Sequence, residues 1–200
     1  MTLADAVEEI LTRCDESFVG VSEDRARRMF YVALTQILRE GKFQDTDAFG
    51  FIIEREHTFG AGENTCDLSN FESTDEVIAI RGDFFFTPEF VAVGQTYDTY
   101  ITKATTEEIR KWGMTGLRPV YNRMYFQTGD TFNFYPSDVW NDVTISANVI
   151  IAPLPYADGG GAEYWTDTTE LTDVMTTAFE NSIIETSAQL LKQEVIVNDG

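Results

Sequence analysis

The sequence predicts an α+β fold in which an N-terminal helix pair and a long C-terminal helix form a bundle, with an antiparallel β-sheet or sandwich inserted between them. Apolar residues recur at every third or fourth position near both ends of the chain, which is typical of amphipathic helices. Between these ends, residues 143–151 alternate between apolar and polar side chains, which is typical of a half-buried strand. A chain of 200 residues, 43% of them hydrophobic, is long enough to bury a core.

Residues 1–42 contain start and stop signals for two helices. Thr2 is a helix-capping residue, and the first helix is expected to end near Glu16. Ser22, followed by two acidic residues, starts the second helix, and Gly41 ends it. The two helices are expected to pack as an antiparallel pair. Their predicted buried residues are Val7, Ile10, Leu11, Cys14, Phe30, Ala33, Leu34, Ile37 and Leu38.

Residues 43–165 are predicted to form a β-rich domain with one short helix near 105–113. Thr105 and Glu108 fit the capping-box pattern for that helix, and Gly113 is expected to close it. Gly129 and Asp130 predict a hairpin turn. The predicted strands are 51–53, 77–80, 121–126, 132–135 and 143–151.

Residues 166–192 are predicted to complete the helical bundle. The positions predicted to face the core follow helical spacing and are Leu171, Val174, Met175, Ala178, Phe179, Ser182, Ile183, Thr186 and Leu190. Residues 193–200 are then expected to leave the helix as a C-terminal arm. The run Val195-Ile196-Val197 has the composition of a strand that joins the sheet edge of a partner, with a frayed terminus as the alternative.

The charge of the chain disfavours some partners. Its 34 acidic and 14 basic residues give a net charge of −20, which repels nucleic acid and anionic lipid. The same charge suits the wall of a passage along which DNA slides, or a general need for solubility. The N-terminal residues lack the pattern of a secretion signal, and no apolar run is long enough to cross a bilayer. We therefore expect the chain to stay in the cytoplasm where it is synthesised, or to be built into a particle there.

Residues that commonly bind metals or catalyse reactions are few. Cys14 and Cys66 have no C-x-x-C spacing and are predicted to be reduced, packed thiols. His57, the only histidine, is predicted to be a structural residue at the surface. Residues 45–56 partly imitate a calcium loop, but Phe49 stands at a ligand position, so the segment is interpreted as a plain loop. The sequence thus predicts no cofactor, no metal site and no catalytic residues.

An enzyme remains the main alternative. Two carboxylates at a suitable separation can hydrolyse a glycosidic bond, and Trp112, Trp140 and Trp165 are candidates for stacking on a sugar. The sequence does not select a pair among the 34 acidic residues. This alternative is a peptidoglycan glycosidase.

One segment carries a resemblance to a known group of proteins. It reads Arg118-Pro119-Val120-Tyr121, then Gly129-Asp130, then an aromatic strand ending in Tyr135-Pro136, then a long alternating strand over 143–154 and a C-terminal helix. This order resembles the head-to-tail connector, or adaptor, proteins of tailed bacteriophages, particularly the podovirus-type tail tubular and gatekeeper subunits. The sequence departs from the pattern at 71–75, where a Tyr-x-Leu-Pro approach to the following strand is common.

The resemblance implies a non-enzymatic subunit of the virion. It implies a homo-oligomeric ring, usually twelvefold, clamped at the head–tail junction between the portal protein and the tail nozzle. The genome would leave through this ring without sequence-specific contacts and without a membrane partner. By the same resemblance, the arm residues Gln193, Glu194, Val195, Ile196 and Val197 would dock on the portal. Another head completion or minor tail protein is the alternative within the virion.

Overall fold

The structure, a computed structural model, describes residues 1–14, 21–72, 76–86, 101–115, 123–137, 139–152 and 165–198. The chain divides into two compact units: unit 1 is Met1–Ile52 with Ile151–Gly200, and unit 2 is Ile53–Ile150. The predicted α+β class is confirmed. The helices are α1 (Leu3–Arg13), α2 (Glu23–Glu40), α3 (Thr106–Thr115) and α4 (Thr177–Asn198). The strands are β1 (Ile52–Thr58), β2 (Thr65–Asp67), β3 (Glu76–Phe86), β4 (Thr102–Lys103), β5 (Met124–Thr128), β6 (Thr131–Tyr135) and β7 (Thr144–Ala152).

The predicted caps of α1 and α2 are confirmed. The Thr2 hydroxyl accepts a hydrogen bond from the Asp5 N–H at 3.2 Å, and the Asp5 carboxylate accepts one from the Thr2 N–H at 3.0 Å. The Ser22 hydroxyl accepts the Arg25 N–H at 3.3 Å. At the end of α2, Gly41 has a φ of 64°, a left-handed conformation that glycine adopts without steric cost.

Helices α1, α2 and α4 pack together as a bundle in unit 1. Along α4, the Cys14 thiol lies 3.7 Å from the Ala188 carbonyl oxygen, and the Arg25 guanidinium lies 3.2 Å from the Glu194 carboxylate. At the other end of α4, the rings of Phe43 and Phe179 are 5.4 Å apart. The end of α1 and the start of α2 therefore lie beside the same part of α4. Consequently α2 runs antiparallel to both α1 and α4, as predicted for the first pair.

The buried face of α4 differs from the predicted one. Ala178 and Ser182, predicted to face the core, are exposed, whereas Ile184 and Leu191 are buried. Because α4 packs against two helices, it buries a wider face than a single apolar stripe. The helix is also preceded by a separate short 3₁₀ turn at Leu171–Asp173.

The described residues of unit 2 form two sheets, one with the strand order β1-β7-β3 and the other with the order β2-β6-β5-β4. The predicted hairpin is confirmed: Thr128 pairs with Thr131, so Gly129 and Asp130 form a two-residue connection. One pair departs from the predicted antiparallel sheet, since β4 and β5 are parallel. The cause is α3, because a helix between two strands returns the chain to the starting edge.

Helix α3 begins as predicted and ends later. The Thr105 N–H donates to the Glu108 carboxylate at 2.7 Å, and the Glu108 N–H donates to the Thr105 hydroxyl at 3.2 Å. The helix passes Gly113, its predicted end, and continues to Thr115. A glycine inside a helix weakens it without necessarily ending it.

The core of unit 2 is a cluster of aromatic rings. Phe84 is fully buried, and its ring centroid lies 4.8 Å from that of Tyr125 and 5.1 Å from that of Phe134. Phe134 in turn lies 5.0 Å from both Phe59 and Trp140. Most of these pairs meet edge to face, the arrangement favoured by ring quadrupoles.

Strand β7 is more deeply buried than its alternation predicts. Ile145, Ala147 and Val149 are fully buried, as expected. Ser146 and Ile150, on the opposite face, are also buried, at 0% and 2% exposure. As the middle strand of its sheet, β7 is paired along both edges. The burial of Ser146 and Ile150 shows that its second face is partly covered as well.

We predict that Gly50→Ala destabilises unit 1 by about 1–3 kcal/mol, the usual cost of overpacking. A Cβ at this position would lie 2.6 Å from the Val174 Cβ and 2.8 Å from its carbonyl oxygen, which the Gly50 N–H already contacts at 2.8 Å. Urea unfolding followed by Trp165 fluorescence measures the effect. An unchanged midpoint would show that the two segments do not approach this closely.

Candidate functional site

The C-terminal segment is helical and does not form the predicted free arm. Helix α4 extends to Asn198 and so includes Gln193 and the run Val195-Ile196-Val197. Glu194 is half-buried and forms a salt bridge with Arg25 at 3.2 Å. The prediction that the helix ends near Lys192 was wrong. Val195, Ile196 and Val197 favour strands as single residues, but this preference is weak, and the residues continue a helix that is already formed. Residues 199–200 lie outside the described part of the chain.

The residues of the hairpin motif are only partly described. Gly129 adopts a φ of 62° in the turn, and β6 ends at Tyr135, directly before Pro136. The Tyr135 ring stacks on Phe126 at a centroid distance of 5.5 Å. Arg118, Pro119 and Tyr121 lie outside the described residues. The motif therefore provides a hairpin whose aromatic residues pack together.

One exposed stripe of α2 carries two arginines and an aliphatic residue, and it lies between the acidic residues Glu23 and Asp24 at the start of the helix and Glu40 at its end. We call the exposed residues Arg28, Val32, Gln36 and Arg39 the α2 face; they follow one another at helical spacing. Val32 is 43% exposed, which is unusual for a large aliphatic side chain in the described structure. Helix α2 also contains Arg25 and Arg27, so it holds four of the 14 basic residues of the chain. This concentration stands out in a protein with a net charge of −20.

A second surface of unit 1 is acidic. A cleft of about 400 Å³ has the side chains of Val7 and Leu11 in its wall. We call it the acidic cleft because its lining also includes Asp5, Glu8, Glu23 and Asp167. Among the described residues that line it, the one cation is Arg27, which forms a salt bridge with Asp167. The acidic cleft thus retains an excess of negative charge and complements the α2 face.

His57 is half-buried in an aromatic environment, so the prediction of a surface position was wrong. Its ring meets Phe59 edge to face at 4.8 Å and lies 5.9 Å from Phe71. Burial lowers the pKa of His57, whereas the charges of Glu63 and Asp67 oppose this shift. The neutral ring extends the aromatic core of unit 2. The sequence pattern did not predict this position, because His57 follows the charged residues Glu54, Arg55 and Glu56.

The two cysteines are packed thiols, as predicted. Cys14 and Cys66 are both free and buried. Burial raises the pKa of both thiols, and that of Cys66 reaches about 12. Because the thiolate is the nucleophile, these protonated groups are poor candidates for covalent catalysis.

Acid–base catalysis by paired carboxylates finds little support in the described residues. A glycosidase needs a carboxylic acid of raised pKa next to its substrate. In the acidic cleft, hydrogen bonds from the backbone and side chain of Thr2 lower the pKa of Asp5 instead. The carboxyl group of raised pKa in the described part of the chain is Glu180, which is 1% exposed and does not line the acidic cleft. Sequence patterning missed Glu180, since a lone acid in an amphipathic helix is normally placed on the solvent side.

The described residues include no group of three or more His, Cys, Asp or Glu side chains arranged to hold a metal ion. Residues 45–56 form a loop, a 3₁₀ turn and the start of β1, and Asp47 accepts a hydrogen bond from the Thr176 hydroxyl at 3.2 Å. This carboxylate therefore stabilises the loop before α4.

Comparisons with other proteins add no assignment to the surfaces of unit 1. Within the described residues, no helix is both long and apolar enough to span a bilayer. No protein-family model matches the chain, and no curated protein matches it with significant sequence similarity.

Proposed function

We propose that this protein is a structural adaptor subunit of a tailed bacteriophage, which forms a ring between the portal protein and the tail nozzle and acts as a conduit for genome exit. The observation that carries the proposal is the chain order that resembles these adaptors. Its hairpin turn at Gly129-Asp130 is followed by a strand ending at Tyr135-Pro136, the long strand β7 and a C-terminal helix. In this role the chain contributes surfaces, and no catalytic group is required.

The charge distribution of unit 1 supports assembly into a ring. Ring closure is heterologous, so each subunit must present two different surfaces that complement each other. The α2 face is basic and includes the exposed Val32, whereas the acidic cleft carries the carboxylates of Asp5, Glu8 and Glu23. Such complementary charges guide association and set its register. In the proposed ring, the α2 face of one subunit contacts the acidic cleft of the next.

The overall charge supports the role of a conduit. At −20, the chain repels the phosphate backbone rather than retaining it. A channel wall with this charge forms few ion pairs with the phosphates, so duplex DNA can pass without being retained. The proposed location is therefore the head–tail junction of the virion, with synthesis in the host cytoplasm.

We predict that the protein forms a ring of defined stoichiometry with the portal protein of the same phage. Size-exclusion chromatography with light scattering, with and without portal, measures the mass of the assembly. Arg28→Glu and Glu8→Lys should each reduce ring formation because each places like charges across the interface, and the double variant should restore it. Glu185→Lys, an exposed change on α4, is the matched control. A chain that stays monomeric with portal present contradicts the proposed function.

We also predict that a chain ending at Glu194 binds portal more weakly by at least about tenfold, which corresponds to about 1.4 kcal/mol. The proposal that the C-terminal segment docks on portal motivates this truncation. It keeps the Arg25–Glu194 salt bridge, so the bundle should remain folded. Circular dichroism checks the fold, and binding to immobilised portal rings measures the loss. Unchanged binding by a folded truncated chain would remove the docking role of residues 195–200.

For the conduit, we expect negligible retention of duplex DNA by the ring at physiological salt, because a net charge of −20 per chain repels the phosphate backbone. Filter binding or fluorescence anisotropy over a salt series provides the measurement. Strong binding that weakens as salt rises would contradict an acidic channel.

A further inference from the structure

Glu180 is a buried carboxyl group without a hydrogen-bond partner. It lies in the first turn of α4 and is 1% exposed. Both of its carboxylate oxygens are buried, and neither has a hydrogen bond in the described structure. An ionised carboxylate in such a position would lose its hydration without compensation, which strongly favours the neutral acid.

The charged groups that act on Glu180 are mostly acidic. Asp5 and Glu9 on α1, together with Glu170 before the 3₁₀ turn, oppose its ionisation, and the amino group of Met1 favours it. That amino group is 3.5 Å from the Glu170 carboxylate, and Arg13 donates a hydrogen bond to Glu9 at 3.0 Å. The cation that acts on Glu180, the Met1 amino group, is therefore shared with Glu170, and the charge of Glu9 is partly offset by Arg13.

Three other segments of the described chain adjoin the start of α4: the loop that carries Asp47, the 3₁₀ turn and the end of α2. Their charged groups are either hydrogen-bonded to other residues or exposed. Asp47 accepts the Thr176 hydroxyl, and Asp173 in the 3₁₀ turn is exposed. At the end of α2, Glu40 accepts hydrogen bonds from Gln36 and Lys42, and Arg39 is exposed. No group from these elements hydrogen-bonds to Glu180 in the described structure.

Two effects compete at this position. The N-terminus of a helix favours a negative charge in its first turn, which would lower the pKa of Glu180. Burial acts in the opposite direction and is the larger effect, so the pKa of Glu180 is raised above the ordinary value of 4.5. The helix dipole thus fails to compensate for the lost hydration.

We propose that Glu180 is held protonated between α1 and α4 and that its ionisation, reinforced by repulsion from Asp5, Glu9 and Glu170, loosens α1 from the bundle. Helix α1 is held at this end by backbone hydrogen bonds from Leu3 to Thr169 at 3.0 Å and from Ala4 to Asp167 at 3.2 Å. These two bonds connect α1 to the segment that carries Glu170. The helix contact between α1 and α4 is therefore a pH-sensitive element of unit 1, independent of any role in a phage particle.

The sign of the effect follows from proton linkage. In the unfolded chain Glu180 loses its proton near the ordinary value of 4.5, whereas in the folded chain it keeps the proton to higher pH. Above that value the folded state binds more protons than the unfolded state, so stability falls as pH rises until the folded group has also ionised. Below that value the proton is bound in both states, and Glu180 adds no pH dependence.

The test compares the wild-type chain with Glu180→Gln and with Glu185→Gln, which removes the same charge from an exposed position of α4. At about pH 8, Glu180→Gln should lower the unfolding equilibrium constant at least about tenfold, and near about pH 4 this difference should vanish. Glu185→Gln should show no such pH dependence. Amide hydrogen exchange in α1, corrected for its intrinsic pH dependence, should rise with pH in the wild type and stay flat in Glu180→Gln.

A measurement on the wild-type chain avoids any folding defect of the variants. Carbon NMR titration of the glutamate side chains should place the midpoint of Glu180 above the ordinary value of 4.5. A midpoint at or below that value overturns the proposal. So does a stability difference between wild type and Glu180→Gln that is the same at both pH values, or α1 exchange that does not depend on residue 180.

Discussion

The packing of α4 against α1 and α2 is the contact on which unit 1 depends. Helix α4 lies more than 130 residues after α2 in the sequence, so this contact brings the two ends of the chain into one body. Each helix has only one apolar side, and burying these sides together removes them from water. The cost is the entropy of closing a very long loop, which rises only slowly with loop length. Residues 53–150 can therefore form a separate compact unit between the segments of the bundle.

In unit 2, aromatic residues provide the packing that holds the strands together. The two edge strands of one of its sheets, β2 and β4, span only three and two residues, so backbone pairing provides few hydrogen bonds at these edges. Large rings such as Phe84 and Phe134 each bury much apolar area and hold strands of different sheets to one core. The same environment accommodates His57 in its neutral form, since an aromatic surrounding disfavours a charged ring.

Buried and exposed charges have different consequences in this protein. On the surface of unit 1, the basic α2 face and the acidic cleft cost little in water and remain available to partners. Inside the bundle, the buried Glu180 carboxyl favours the neutral form, so the bundle is expected to lose stability as the pH rises and this group ionises. Evolution can tolerate such a group when the remaining helix contacts supply enough stability. The proposed assembly uses surfaces of α1 and α2, whereas the proposed pH dependence arises where α1 contacts α4, and Asp5 of α1 belongs to both.

The sequence by itself determined the features that depend on neighbouring residues. Thr2, Ser22 and Gly41 act through hydrogen bonds and backbone angles within one turn of their helices, and Gly129-Asp130 closes a two-residue hairpin. The tertiary structure alone decided which side of α4 is buried, the parallel pairing of β4 with β5, the helical course of residues 193–198 and the positions of His57 and Glu180. The acidic cleft could also be identified only from the tertiary structure, because its carboxylates come from α1, α2 and Asp167, which are distant in sequence. The reason is physical: caps and turns are set by local geometry, whereas burial depends on partners distant in sequence.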